Sequence, residues 1–262
     1  MFDLGIQNKI ILITGATGEI GKKLSINFAK LNCKIFLVAR NKNNLVKLYN
    51  QIGGKSKGHH FLAIDLNKKN SVDILCKKIK KNFKEKAIDI IIHGLGGALG
   101  VRDPLAKIND WFSVWNFNIG IAIQINNNLI PLMINKKWGR IIHISSINSL
   151  SGGEINKKYG YSHAYNSAKS YLNTYVKSIS REYVKNNIVL TSIMPGPFLS
   201  DGKYWENMKK NNKKLFKNYT DNFTTQGRLT LSDEIIPFIL FAASKHSTLA
   251  SGTFFKIDAS RY

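Results

Sequence analysis

Tyr165 and Lys169, in the run Tyr165-Asn166-Ser167-Ala168-Lys169, stand four residues apart, a spacing that brings two side chains to one face of a helix. No other tyrosine of the chain has a lysine four places on. A phenol with a pKa of about 10 exchanges protons poorly at neutral pH, and a close ammonium that stabilises the phenolate moves it toward the working range. The pair therefore reads as proton-transfer machinery for a substrate oxygen, against the plainer reading of two surface groups in a lysine-rich chain. Near the N-terminus, Thr14-Gly15-Ala16-Thr17-Gly18-Glu19-Ile20-Gly21 forms a glycine-rich turn. Glycines let the chain turn tightly and let backbone N–H groups approach a pyrophosphate at a helix N-terminus, so this turn fits a dinucleotide.

Such groups need a scaffold, and the hydrophobic pattern supplies one. Strand-length apolar runs at 9–14, 34–39, 61–64, 88–92, 140–145, 188–194 and 253–257 alternate with helical periodicity. The helical segments follow the glycine turn as far as Leu31 and then occupy 45–52, 72–83, 111–133, 164–184 and 233–243. This order predicts an α/β fold, a doubly wound, mostly parallel Rossmann-type sheet with helices on both faces. With 262 residues and 44% hydrophobic content, one domain spanning 1–262 is expected. One long irregular stretch, 198–226, follows the sixth strand, and at the carboxyl end of a strand it is expected to cover a substrate.

In that context the chain resembles the short-chain dehydrogenase/reductase family from Lys9 to Ile257, and within it the NADP(H)-dependent members similar to 3-oxoacyl-carrier-protein reductases. The resemblance implies that Tyr165 gives its proton to a carbonyl oxygen and that Lys169 also binds the nicotinamide ribose. It implies too that Ser146, of Ile144-Ser145-Ser146, holds the reacting oxygen, with Ser145 and Ser149 as alternatives because the stretch before Tyr165 is long. Asn118, closing Trp111-Phe112-Ser113-Val114-Trp115-Asn116-Phe117-Asn118, matches an asparagine that positions a water beside the lysine. The cofactor residues implied are Gly15, Thr17, Gly18, Glu19, Ile20 and Gly21 in the turn, Arg40, Asp65 with Leu66, Gly94, Lys169, Pro195 with Gly196, and Ser200. Two departures stand out: Glu19 occupies the place of a usual glycine, giving TGxxGxxG, and the NNAG stretch is His93-Gly94-Leu95-Gly96. Asp65 has a plainer reading as the N-cap of a helix starting near Lys68.

The second strand ends Val38-Ala39-Arg40, with a guanidinium and no carboxylate, which favours NADP(H) over NAD(H) while leaving NAD(H) possible. Aromatic and lysine side chains within 198–226, namely Tyr204, Trp205, Phe216 and Tyr219 beside Lys203, Lys209, Lys210, Lys213 and Lys214, suit an anionic small-molecule or carrier-linked carbonyl substrate. A keto-sugar nucleotide and a 3-oxoacyl thioester both fit, and the stretch from Ser149 to Tyr161 is expected to border the same site. The formal charge of +23 is spread along the whole chain without the aromatic interleaving of a nucleic-acid platform, so no nucleic-acid partner is expected. The apolar runs are too short to span a bilayer, and 1–9 lacks a signal-peptide pattern, so a cytoplasmic protein without a membrane partner is expected. Cys33 and Cys76 read as buried thiols without metal-ligand spacing. The resemblance implies a homodimer or homotetramer through the helices near Trp111 and Ala164. Two other readings stay open, a cofactor-binding sensor without turnover and a basic nucleic-acid-associated protein.

Overall fold

The computed structural model describes residues 3–83, 86–151, 162–200 and 202–259. Seven strands form one parallel sheet: β1 (Ile10–Thr14), β2 (Lys34–Ala39), β3 (His60–Ala63), β4 (Ile90–His93), β5 (Gly139–Ile144), β6 (Ile188–Pro195) and β7 (Phe254–Ile257). Their order is β3-β2-β1-β4-β5-β6-β7, so the winding reverses between β1 and β4. A crevice opens at the carboxyl ends of the strands at that reversal, and it is where ligands of doubly wound sheets bind. The central strands β1, β4, β5 and β6 are buried on both faces, which explains their continuous isoleucine-rich runs in place of alternation, while the edge strands β3 and β7 are half-buried.

Helices cover both sides: α1 (Glu19–Lys30), α2 (Lys42–Gln51), α3 (Ser71–Asn82), α4 (Ile108–Trp115), α5 (Ile121–Lys136), the one-turn α6 (Asn148–Ser151), α7 (His163–Tyr183), α8 (Tyr204–Asn211), α9 (Lys213–Phe223) and α10 (Ser232–Ala243). One core packs Leu12, Phe36, Leu75, Ile91, Ile125 and Val176 together; the other holds Ile11, Leu24, Leu37, Ile92, Ile142 and Ile239. Two expectations change. The 111–133 helix is interrupted by a π-helical turn, Asn116–Gly120, between α4 and α5. This continuous 29-residue run is long and apolar enough to cross a bilayer by length and composition, yet Val114, Ile119, Ile125, Leu129 and Met133 are buried inside the protein, which makes it a core helix. Second, the stretch expected to be irregular at 198–226 contains α8 and α9, because Met208 with Tyr204, and Leu215 with Tyr219 and Phe223, recur at helical spacing and pack into a small cluster with Leu229.

Cys33 and Cys76 are free and buried, and desolvation pushes their thiols up to about 12 and about 11, which leaves them protonated and unreactive. Asp65 does not cap α3, which starts at Ser71 behind Asn70; its carboxylate accepts the Asn67 N–H at 3.0 Å in a local turn. The intervening residues Asn67 to Asn70 place the helix too far along for Asp65 to reach its first N–H groups.

Candidate active site

The glycine-rich turn is shaped by close backbone approach. Gly15 has φ +67°, and a Cβ there would fall 2.7 Å from the Gly94 carbonyl oxygen; a Cβ on Gly21 would fall 2.4 Å from the Gly15 oxygen. Only bare backbone lets β1, the start of α1 and the loop after β4 meet this tightly. The turn is tied to β2 by the Ala16 N–H on Val38 O at 3.0 Å. Glu19 opens α1, and its carboxylate is engaged by neighbouring groups: it accepts the Ser232 hydroxyl at 2.8 Å and pairs with Lys23 at 3.4 Å. The turn keeps bare glycine backbone at a helix N-terminus, which fits a dinucleotide's phosphates.

The altered loop after β4 is held by groups other than the missing asparagines. Thr14 Oγ1 accepts the Gly94 N–H at 3.2 Å, and Asn118 grips Gly97 both ways, accepting its N–H at 3.0 Å and donating to its carbonyl at 2.9 Å. Asn118 also donates to Val114 O at 2.8 Å, a bond within the helical run that brings it inward at the π turn. A Cβ on Gly96 would come within 2.8 Å of Lys169 Nζ and 3.0 Å of Asn118 Oδ1, so this glycine separates the two side chains. His93 takes the place of the first asparagine; its Nε2 lies 2.9 Å from Asn126 Oδ1, and its ring stacks on His143 at 4.5 Å. Burial holds both imidazoles neutral, His93 down at about 4 and His143 well below the ordinary range.

The helix α7 starts where Ser162 caps it, accepting the Tyr165 N–H at 3.3 Å, so the cap also fixes the first turn on which Tyr165 sits. The hydroxyl of Ser146 lies beside the phenol of Tyr165 and draws its pKa down. Among the candidate serines, Ser146 is the one so placed: Ser145 Oγ reaches Lys169 O at 3.5 Å, and Ser149 Oγ donates to Ser146 O at 2.6 Å. Lys169 is 2% exposed; its Nζ donates to Ile144 O at 2.7 Å and lies 5.6 Å from the Tyr165 ring centroid. Desolvation lowers its ammonium to about 7. Burial raises the Tyr165 phenol above its ordinary value, only partly offset by Ser146. This reverses the expected downward shift, because burial of the phenol outweighs what lowers it. A phenol so placed is a proton donor at rest.

One cavity of about 510 Å³ joins these parts, running from the glycine turn past Ser146, Tyr165 and Lys169 to α8 and α9. Of the residues expected around a cofactor, Gly15, Gly18, Glu19, Ile20, Gly21, Gly94, Lys169, Pro195, Gly196 and Ser200 line it. Thr17 sits half-buried in the turn, Arg40 is exposed one residue beyond β2, Asp65 is half-buried after β3, and Leu66 is buried in the core; none of these four lines the cavity. Asn118 stands behind it, across Gly96. Of the five lysines expected above the substrate only Lys203 lines the cavity, with Tyr204, Trp205 and Tyr219, whereas Phe216 packs in the α8–α9 cluster. Sequence reasoning missed Arg102 and Ser162, which also line it, while Phe198 at the start of the 198–226 stretch lines it as expected. Only the helix-cap position of Ser162 carried a readable signal. Of the 149–161 stretch, 152–161 lies outside the described residues.

The family model for short chain dehydrogenases matches residues 9–211. Among curated relatives, an uncharacterised oxidoreductase of Staphylococcus aureus is 29% identical over 191 residues, covering 73% of this chain and 78% of the relative. Another, from Staphylococcus saprophyticus, is 28% identical over 192 residues, 73% and 79% of the two chains. Among solved structures, L-sorbose reductase from Gluconobacter frateurii complexed with NADPH and L-sorbose is 26% identical with a TM-score of 0.86, covering 98% of each chain. A 3-oxoacyl (acyl-carrier-protein) reductase from Agrobacterium tumefaciens with NADP bound shares the fold at 20% identity and a TM-score of 0.85, over 98% and 95% of the chains.

Proposed function

The chain belongs to the short-chain dehydrogenase family, and from that premise we propose that it is an NADP(H)-dependent reductase of a ketone, with Tyr165 as the proton donor. The observation that carries this reading is the convergence of Ser146, Tyr165 and Lys169 on one cavity whose other end is the bare-glycine turn. The NADPH held by the sorbose reductase relative supports the choice of cofactor, as do Arg40 and the lack of a carboxylate at the end of β2. Gly15, Gly18 and Gly21 would hold the phosphates, Arg40 the 2′-phosphate and Lys169 the nicotinamide ribose. When bound, the nicotinamide supplies the hydride.

The protein's own groups do the rest. Ser146 fixes the carbonyl oxygen against the phenol, Tyr165 gives that oxygen its proton, and Lys169 stabilises the phenolate left behind. Asn118 holds the loop that carries Gly96 against Lys169 and so keeps the ammonium in register. The buried phenol, protonated at neutral pH, favours reduction over alcohol oxidation. The substrate class we put forward is a keto-sugar or a 3-oxoacyl thioester lying under α8 and α9. Steady-state NADPH oxidation against both classes tests the proposal; turnover of a member of either supports it, and cofactor binding without turnover of any carbonyl would favour a sensor.

Arg40→Asp is expected to invert the cofactor preference, weakening NADPH by about tenfold or more while improving NADH, because a carboxylate accepts ribose hydroxyls and repels a phosphate. Fluorescence titrations with each nucleotide give the ratio, and an unchanged ratio would leave Arg40 a solvated surface group. A homodimer or homotetramer through α4 and α7 belongs to the same proposal. Ile108, Phe112 and Tyr171, 64%, 60% and 51% exposed, leave an apolar strip there. Light scattering at the monomer mass would rule it out.

A further inference from the structure

We infer that the mouth of the cavity, between Arg102 and Lys203, is a subsite for an anionic group, a carboxylate or a phosphate, carried by the carbonyl substrate. The inference rests on the reductase reading and names the substrate chemistry of that same site.

The argument starts from the distribution of charge in the cavity. Arg102 and Lys203 line it on the side of α8, while Glu19, the only carboxylate among its described lining residues, lies at the glycine turn and is engaged by Ser232 and Lys23. Neither Arg102 nor Lys203 forms an ion pair among the described residues. In a chain with 39 basic and 16 acidic residues an unpaired cation is ordinary, so placement decides. Lys209, Lys210, Lys213 and Lys214, on the same two helices, stay outside the cavity.

Both cations sit on backbone tied to the catalytic elements. The carbonyl of Val101, next to Arg102, accepts the Ser162 hydroxyl at 2.6 Å, and Ser162 is the cap of the helix that carries Tyr165. The guanidinium of Arg102 stands 5.7 Å from the centroid of the Tyr204 ring, a cation–π arrangement that bridges one wall of the cavity to the other. Lys203 precedes Tyr204 at the start of α8, and its N–H donates to Ser200 O at 3.0 Å. Trp205 lies tilted against Tyr219 with ring centroids 4.1 Å apart, so the cations stand beside a largely apolar, aromatic lining. Charge-assisted hydrogen bonds gain strength in such surroundings, and a guanidinium matches a carboxylate or phosphate through two parallel bonds. The orienting group would thus bind at one end of the substrate, leaving the ketone at the other end for Ser146 and Tyr165.

Calorimetric titration of the NADP+ complex tests this without turnover, because a ketone bound beside oxidised cofactor is not reduced. The probes are matched pairs: acetoacetate against methyl acetoacetate, and dihydroxyacetone phosphate against dihydroxyacetone. At least one anionic member is expected to bind about tenfold tighter than its neutral match, and less so as salt rises. Which of the two anions gains tells a carboxylate from a phosphate. Arg102→Gln and Lys203→Gln should each bring the ratio toward one, while Lys209→Gln, outside the cavity, should keep it. Equal affinities within both pairs, no binding of either anion, or an equal loss in Lys209→Gln would overturn the subsite, the last by assigning the effect to diffuse charge. Weaker NADP+ binding in the Arg102 or Lys203 variant would overturn it by assigning that cation to the cofactor. Wild-type protein that does not bind NADP+ would instead break the reductase reading beneath it.

Discussion

Replacing Tyr165 with phenylalanine is expected to lower kcat for NADPH oxidation about a thousandfold, with cofactor affinity close to that of the unaltered protein. The substitution removes one hydroxyl and keeps the ring that packs with Val114, Ala164 and Ala168, so the fold has little reason to respond. What disappears is the hydroxyl proposed as proton donor, beside Ser146. The upward shift of the phenol by burial means that it is fully protonated at neutral pH, so the lost group is the acid and not a base. Steady-state kinetics with the best carbonyl substrate reads the effect, and a Tyr165→Phe variant that turns over at the wild-type rate would remove Tyr165 from the chemistry.

Lys169→Met carries the second large effect, and it points in two directions at once. Activity should fall by at least about a hundredfold, because the phenolate loses its cation. Stability of the cofactor-free protein should rise at pH 6 to 7. Burial lowers the ammonium from its ordinary 10.5 to about 7. The unfolded chain therefore binds more protons than the folded one between those values, and stability climbs as pH rises from about 7 toward 10.5. Below about 7 the folded protein bears the full penalty of the buried charge, on the order of 5 kcal/mol. No carboxylate relieves it: the Ile144 carbonyl accepts its proton, and the neighbouring titratable groups, Tyr165 and the neutral His143, carry no charge. Methionine removes the charge and leaves Ile144 O without that donor, which returns about 1–3 kcal/mol. The net gain should appear as a Tm several degrees higher at pH 6.5, shrinking by pH 9. Thermal unfolding at the two pH values reads both the sign and the slope. A Lys169→Met variant less stable than wild type at pH 6.5 would show that the lysine is a structural member and not a group held at a cost for its chemistry.

The sheet was legible because its central strands are short isoleucine-rich runs buried on both faces and its edge strands short apolar runs, patterns that separate cleanly from helical periodicity. The Tyr165–Lys169 pair was legible for a similar reason: helix geometry alone brings the two together. Other features depend on contacts distant in sequence. Arg102 reaches the cavity only because the loop after β4 is pinned to Ser162, a partner sixty-one residues away from Val101. The downward shift of Lys169 and the upward shift of Tyr165 follow from burial, which spacing does not report. Helices α8 and α9 were hidden by their lysines and asparagines, although Leu215, Tyr219 and Phe223 carry a helical stripe that a periodicity count over 204–223 would have caught. The substitution of His93 for an asparagine looked like a loss of the loop's anchor, yet Thr14 and Asn118 supply that anchor from elements far apart in sequence.

The most direct test of the central claim is a fluorescence titration of the purified protein with NADPH and with NADH. The glycine cradle, the guanidinium of Arg40 beyond β2 and the cavity that leads from the cradle to Tyr165 predict saturable binding of one nucleotide per chain, with NADPH tighter than NADH. Binding of neither nucleotide would contradict the account from its first motif onward, whatever the fold.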